Sequence, residues 1–214
     1  VEVEESDKNA DYGYVTDRVG LAALAQMGVL EVHMWGCHVD GVERPDLFVF
    51  DLDPDEELPW QRVVDGAQAL RERLNALSLA SFVKTTGGKG LHVVVPVIRK
   101  WSWDDHKALS QAIVTEIARD APDRYVTNMS KRARKGKIFL DYLRNGRGAT
   151  AIAPYSTRAR AGALVATPIS WKELEQGAKP TDFDIARVVQ RLQMEKEDPW
   201  AGMYRRRQGL GARQ

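Results

Sequence analysis

The sequence of 214 residues contains one cysteine, Cys37, so an intrachain disulfide and a cysteine-based zinc cluster are both excluded, and a reducing cytoplasm is the expected compartment. Long hydrophobic runs are also missing. The most apolar stretch, Leu91 to Ile98, is far too short to span a bilayer, so no membrane partner is expected. The opening VEVEESDKNAD is acidic where a secretory signal is basic and then apolar. Net charge is nearly absent as well, with 31 Lys+Arg against 30 Asp+Glu, which excludes a protein basic all over. Any polyanion must therefore be met by a local patch. No fixed-period repeat or low-complexity tract occurs, which excludes a solenoid or a disordered chain. With 43% hydrophobic and 29% charged residues, there is material for an ordinary core. The expectation is one soluble unit over residues 1–200, followed by a basic polar tail over 201–214 whose Arg205-Arg-Arg-Gln run is frayed or a linker.

The patterned segments place the chemistry. Thr16 or Asp17 is set to cap a helix carrying Val19, Leu21, Leu24 and Met27, with Gly28 as its stop. Strand-like VLEVHMW follows. Asp46 to Asp53 is β-branched and aromatic enough for a buried strand that Pro54 ends. Pro59 suits the first turn of a helix to about Leu77, with Val63, Val64, Ala67, Leu70 and Leu74 at helical spacing. Strands over Ser81 to Thr85 and Leu91 to Val97 flank the turn Thr86-Gly-Gly-Lys-Gly90. Ser102 with Asp105 caps a helix through about Arg119. Lys137 to Tyr142 and Thr150 to Ala153 read as strands, and a final helix runs from Thr181 to about Met194. The strands and helices interleave without regular alternation, so the fold class is α+β with mixed or antiparallel sheets flanked by helices.

Asp51 and Asp53 sit two apart on a strand, so both carboxylates leave one face with Cα atoms roughly 6.5 Å apart. Their repulsion is tolerable at a solvent end or around a cation, and oxygen-only ligands select Mg²⁺ or Mn²⁺. Removing either acid is expected to leave stability unchanged or higher. A bare Asp-x-Asp equally suits a strand running out into the acidic loop Asp-Pro-Asp-Glu-Glu. Asp141, at the end of Ile138-Phe-Leu140, repeats the arrangement and shifts the balance, because three converging carboxylates can hold two divalent ions about 4 Å apart. Alone, Asp141 would read as a strand end paired with Arg144. Between the acids, three glycines around Lys89 let backbone N–H groups approach an anion, with Thr86 and His92 beside them. This is not a Walker A loop, since Gly90 follows Lys89. On its own it would read as a hairpin turn with a packed histidine. His33, His38 and His106 lack metal spacing and are assigned structural roles. Lys131, Arg132, Arg134 and Lys135 form a dense basic loop, assigned to nucleic-acid phosphates rather than to the acids; a solvated loop is the plain alternative.

These segments, in this order, resemble the archaeo-eukaryotic primase superfamily, and more closely the polymerase domain of bacterial ATP-dependent DNA ligase D. The likeness runs from about Tyr14 to Trp200 and rests on Val29-Leu-Glu-Val-His-Met-Trp-Gly36, Glu43-Arg-Pro-Asp46, Phe48-Val-Phe-Asp-Leu-Asp-Pro54, Thr86-Gly-Gly-Lys-Gly-Leu-His-Val93, Asp141-Tyr-Leu-Arg-Asn145, Ala153-Pro-Tyr-Ser-Thr-Arg-Ala-Arg160 and Val165-Ala-Thr-Pro168. The resemblance implies a primase-polymerase core in which Asp51, Asp53 and Asp141 bind two Mg²⁺ or Mn²⁺ ions. It implies that Thr86, His92 and Arg158 contact the triphosphate of an NTP or dNTP, with Lys89 a weaker candidate. It further implies template-dependent nucleotidyl transfer to a primer 3′-hydroxyl in non-homologous end joining. The partners would be gapped or broken DNA, Ku, and ligase and nuclease domains, in the bacterial nucleoid. Thr86 replaces the family's usual serine, and Met34 a common proline. The family domain usually carries a further N-terminal portion, which is expected to be missing here.

Two rivals remain at this stage. A haloacid dehalogenase type of Mg²⁺-dependent phosphohydrolase would use Asp51 as nucleophile, although Pro54-Asp55 fits that pattern poorly. A non-catalytic nucleic-acid-binding module would hold DNA equally well with a chelator present.

Overall fold

The computed structural model describes residues 1–4, 9–194 and 197–211. In chain order its elements are β1 (Glu2–Glu4), β2 (Asn9–Asp11), α1 (Arg18–Gln26), β3 (His33–Met34), β4 (Leu47–Pro54), α2 (Trp60–Ala76), β5 (Phe82–Thr85), β6 (Leu91–Pro96), α3 (Trp103–Asp120), β7 (Tyr125–Val126), β8 (Ile138–Asp141), β9 (Ala151–Ile152), β10 (Pro168–Ile169), α4 (Trp171–Glu175) and α5 (Ile185–Met194). The main sheet has six strands in the order β10-β5-β6-β4-β8-β7, antiparallel throughout except for the parallel pair β7 and β8. This is the mixed α+β architecture that the irregular interleaving of strands and helices predicts. Among the described residues, no helix is long and apolar enough to cross a membrane.

The alternation of β4 divides the sheet. Phe48, Phe50 and Leu52 join α2 residues Val63, Val64, Ala67, Leu70 and Leu74, together with Ile113, Val114 and Ile117 of α3, in one buried cluster. The apolar stripe read from the α2 sequence is therefore the face that it buries. Val49, Asp51 and Asp53 alternate with those residues and turn to the opposite face. At the far end of that face Val94 packs with Trp200 and Met203 against Leu47 and Phe82, and the Trp200 indole N–H donates to the Val83 carbonyl at 2.9 Å. Near the other end the face carries charge.

The C-terminal segment departs from expectation. Residues 203–210 are not a frayed tail. Met203 is buried, and the Gln208 amide donates to the carbonyls of Ala80 and Pro96 at 2.8 Å and accepts from the Ala80 N–H at 3.0 Å. The Gln208 carbonyl also accepts from Ile98 N–H at 2.8 Å. Three arginines in a row mask a segment held by one buried methionine and one well-placed amide. Residues 212–214 of the expected tail lie outside the described residues.

Other boundaries differ for local reasons. The final helix starts at Ile185 because Thr181 belongs to a 3-10 turn over Pro180–Asp182, and the Asp184 carboxylate accepts from Arg187 N–H at 2.9 Å. The helix α1 is capped by Asp17, whose side chain accepts from Gly20 N–H, yet none of its residues is buried. The VLEVHMW strand shortens to two residues paired with β9.

Asn145 completes the frame. It follows β8 in a 3-10 turn, and its side chain accepts from Val49 N–H at 2.8 Å while donating to Val49 C=O at 2.9 Å. The amide thus continues the ladder along β4 where β8 has ended, and holds the turn carrying Arg144 against the strand carrying Asp51. We expect Asn145→Ala to cost about 2–4 kcal/mol, since it strands two buried backbone groups at roughly 1–3 kcal/mol each. Urea unfolding checks this; a loss below about 0.5 kcal/mol would contradict the role.

His106 on α3 supplies a second test. Its ring is 0% exposed, stacks on Phe48 at 3.8 Å, and bonds the Leu47 carbonyl at 3.2 Å. Burial pushes its pKa down to about 4. Between there and the ordinary value of about 6.5, the unfolded chain binds a proton that the folded chain refuses. Stability is therefore full above about pH 6.5 and falls as pH drops toward 4. The urea midpoint of the wild type should fall through this window, and His106→Phe, which keeps a ring against Phe48, should show a shallower fall.

Candidate active site

Four side chains stand in one row across four strands of the open face. Lys84 on β5 is the register partner of His92 on β6, His92 of Asp51 on β4, and Asp51 of Asp141 on β8. Asp53, two residues along β4, is opposite Phe139. The three acids that the sequence singles out are therefore brought together by strand register alone, and two of them, Asp51 and Asp53, border a cavity of about 530 Å³.

Arginines and a histidine face the row. His92 Nε2 and Arg144 Nη2 each lie 3.5 Å from Asp51 Oδ2, and Arg144 Nε lies 3.4 Å from Asp141 Oδ2. Asp141 Oδ1 accepts from Leu143 N–H at 2.7 Å. Arg134 donates to Asp53 Oδ2 at 2.6 Å while its guanidinium sits 4.0 Å above the Phe139 ring. Arg134 thus corrects the assignment of the whole basic loop away from the acids. Of its neighbours, Lys131 lines the cavity, whereas Arg132 and Lys135 are exposed.

The three carboxyls differ in acidity. Burial pushes Asp51 up, but His92, Arg144 and Lys84 outweigh burial and hold it below the usual value. Burial raises Asp53 and Asp141, and repulsion from Asp51 adds to both shifts. Lys84 is 2% exposed and its Nζ has no hydrogen-bond partner among the described residues; burial pulls it down to about 7 against the attraction of Asp51. Burial, then repulsion from Lys84, lowers His92 to about 4, so at neutral pH its ring has one N–H to give.

The glycine turn closes one side. At Gly90 a Cβ would meet the Leu52 carbonyl oxygen at 2.4 Å, and at Gly87, with φ +67°, it would meet Arg158 Cγ at 2.5 Å. The turn therefore touches both the β4 backbone beside Asp51 and the segment carrying Arg158. Thr86 donates to the Gly90 carbonyl at 3.1 Å and accepts from Gly88 N–H at 3.3 Å, so its hydroxyl shapes the turn. Lys89 is more than half exposed and lies 3.4 Å from Glu56. Arg158 and Arg160 border the cavity from across the turn.

Sequence reasoning missed His33 and Lys84 as neighbours of the acids, while the pairing it offered between Asp141 and Arg144 is present. His33, assigned a structural role, lines the cavity with Nε2 2.9 Å from Glu31. Lys84 was legible as a lysine placed in strand alternation with the buried face of β5, and Arg144 as the i+3 neighbour of Asp141. His38 and His106 are outside the cavity: one pairs with Asp46 at 2.6 Å and the other is core.

The family model described as "LigD, primase-polymerase domain" matches residues 1–200. The chain belongs to this family. It is 42% identical over 193 residues to the multifunctional non-homologous end joining protein LigD of Pseudomonas aeruginosa, covering 90% of this chain and 23% of that protein. The bifunctional LigD of Bacillus subtilis is 30% identical over 163 residues, covering 76% of this chain and 26% of that protein. The chain thus spans about a quarter of the length of these curated relatives. Among solved structures, the polymerase domain of Mycobacterium tuberculosis ligase D in complex with DNA superposes with a TM-score of 0.84 at 29% identity, covering 91% of this chain and 70% of that one.

The LigD primase-polymerase fold gives the acids different structural costs. Removing Asp51 leaves the buried Lys84 without its nearest counter-charge, so Asp51→Ala should destabilise the metal-free protein by about 1–3 kcal/mol. Asp53 is half exposed, and its removal relieves Asp51 while freeing Arg134 to solvent, so Asp53→Ala should stay within about 0.5 kcal/mol. This revises the expectation of equal tolerance from the sequence. Urea unfolding with a chelator present checks it, and equal stability of the two variants would contradict the role given to Lys84.

Proposed function

We propose that this domain performs template-dependent nucleotidyl transfer, adding an NTP or dNTP to a primer 3′-hydroxyl on gapped or broken DNA during non-homologous end joining. The observation that carries it is the register row of Asp51 opposite Asp141, with Asp53 beside them and a cationic, glycine-walled cavity in front. The names of the relatives and the DNA in the solved neighbour support the same reading.

The donor chemistry fits a hard divalent cation: three carboxylates on one face, two with pKa values raised by burial and by repulsion from Asp51. In the present side-chain positions, no three acidic, histidine or cysteine side chains among the described residues close into a metal cage. The physical reason is that arginines already hold them, Arg134 on Asp53 and Arg144 on Asp51 and Asp141. Asp53 would have to release the Arg134 guanidinium to ligate a cation. Mg²⁺ or Mn²⁺ held by Asp51, Asp53 and Asp141 would supply charge neutralisation at the attacking and leaving oxygens.

The chain's own residues position the nucleotide. Arg158, Arg160 and Lys89 offer guanidinium and ammonium donors to phosphate oxygens, and neutral His92 offers one N–H. Backbone N–H groups of the Gly87–Gly90 turn complete an anion-binding wall. Pyrophosphate leaves along this wall. Lys131, Arg132 and Lys135, exposed on the basic loop, would meet the DNA backbone, and Ku with the ligase and nuclease domains belongs to the same proposal. The phosphohydrolase alternative is set aside by the family to which the chain belongs.

Primer extension on a gapped duplex, with each NTP and dNTP in Mg²⁺ and in Mn²⁺, tests this reading. Asp51→Ala and Asp53→Ala should abolish addition in both metals, while His92→Ala and Arg158→Ala should raise the nucleotide KM more than they weaken DNA binding. Near-wild-type extension by either aspartate variant in Mn²⁺ would overturn the metal assignment. A loss of DNA affinity without a nucleotide effect would move His92 and Arg158 to the DNA surface.

A further inference from the structure

We infer that Glu31 is a positioning residue for the triphosphate contacts: one carboxylate that aims Arg158 and fixes His33 from outside the acidic row. The inference rests on the nucleotidyl-transfer reading and names a residue that the reading does not use.

The segment Leu30 to Met34 runs beside the chain from Ala151 to Ala159. His33 and Met34 pair with Ile152 and Ala151 in register. Ala153 N–H donates to Val32 C=O at 2.9 Å, Val32 N–H donates to Ser156 Oγ at 2.8 Å, and the Thr157 hydroxyl donates to Leu30 C=O. These contacts fix the backbone, with Glu31 and His33 as alternate residues on one side of an extended segment.

Glu31 then divides its two oxygens. Oε2 takes His33 Nε2 at 2.9 Å. Oε1 accepts from Ala159 N–H at 2.7 Å and lies 3.4 Å from Arg158 Nε, an ion pair without hydrogen-bond alignment. Ala159 sits between the two arginines of the cavity wall, so its bond to Glu31 sets the backbone from which both project. The hydrogen bond from His33, then that from Ala159, hold the carboxyl below the usual range, so it is charged at neutral pH.

The division has a directional consequence. A guanidinium is a rigid fork, and pairing its Nε side leaves the terminal amino groups to meet an anion edge-on. The side chains of Glu31 and Arg158 are 24% and 17% exposed, so solvent competes weakly with this pair, and a loose Arg158 would have many rotamers to lose on binding. On the other side of Arg158, Gly87 leaves room for Cγ where any Cβ would collide. Arg158 is thus confined between a carboxylate and a glycine, and of these only the carboxylate sets its charge geometry.

The test compares wild type, Glu31→Ala, Glu31→Gln, Arg158→Ala and the double variant Glu31→Ala/Arg158→Ala. It reads calorimetric binding of inorganic tripolyphosphate in Mn²⁺ and single-nucleotide extension kinetics. Glu31→Ala should weaken tripolyphosphate binding and raise the nucleotide KM by roughly tenfold, the scale of one charge-assisted contact, with kcat within about twofold. Glu31→Gln keeps an acceptor for Ala159 N–H but not the charge, and should lie between. In the Arg158→Ala background, Glu31→Ala should add less than about twofold, because its effect acts through Arg158. A full tenfold loss in that background, or a kcat loss with KM unchanged, would overturn the inference. If Glu31→Ala does not fold, Glu31→Gln alone decides: unchanged tripolyphosphate affinity overturns the inference, and weakened affinity at wild-type thermal stability supports it. A wild-type protein that neither binds tripolyphosphate nor extends a primer would instead overturn the nucleotidyl-transfer reading itself.

Discussion

Three carboxylates on adjacent positions of one sheet face repel each other, and much of the surrounding structure is arranged to neutralise them. Register puts Asp51 opposite Asp141, a separation of about 5 Å between Cα atoms in an antiparallel pair. Neither acid is free to leave, because both strands are pinned through their backbones. The response is a set of basic groups drawn from three places in the chain: Lys84 from the neighbouring hairpin, Arg144 from the turn after β8, and Arg134 from the basic loop. Asn145 belongs to this arrangement although it is uncharged. By bonding both polar groups of Val49, it holds the Arg144 turn beside the strand whose charge Arg144 offsets.

The same face shows how a sheet with helices on one side manages the other. Apolar rows need cover and polar rows need ligands or water, and here the face is split along its length. Trp200 and Met203 cover Val94, Leu47 and Phe82 at one end, leaving the row of Lys84, His92, Asp51 and Asp141 at the other. The C-terminal segment therefore contributes to the site by closing the part of the sheet that carries no chemistry. Gln208 secures that cover by satisfying backbone groups at the edges of two strands.

Most elements were legible because their signals are local. The α2 stripe, the Ser102 cap and the β4 run follow from periodicity and side-chain chemistry within a few residues. The convergence of Asp51, Asp53 and Asp141 was legible as three strand-end acids, and register then joined them. What was not legible depends on long-range packing. Thr181 has the chemistry of a cap, but Pro180 opens a 3-10 turn there and Asp184 caps the helix instead. Lys84 reads as an ordinary strand lysine until β6 places His92 beside it. His33 reads as an isolated histidine until β9 brings the Arg158 segment to Glu31.

A neutral chain with a cationic cavity over an acidic floor also explains why composition said so little about charge. The 31 basic and 30 acidic residues nearly cancel in sum, yet in space the arginines nearest the acids are already committed to carboxylates. On the proposed reading, ligand binding at this site would be an exchange of ion pairs rather than an addition of charge. A phosphate reaching Arg158 meets a guanidinium whose Nε side is engaged by Glu31, and a cation reaching Asp53 meets one occupied by Arg134. These two exchanges differ in kind. On the proposed reading, Arg158 would keep its carboxylate while binding, because its terminal donors remain available, whereas Arg134 would give up Asp53 and be left stacked on Phe139. The first geometry suits the proposed anion-binding wall, and the second would make the affinity of the proposed cation site depend on the strength of one competing arginine.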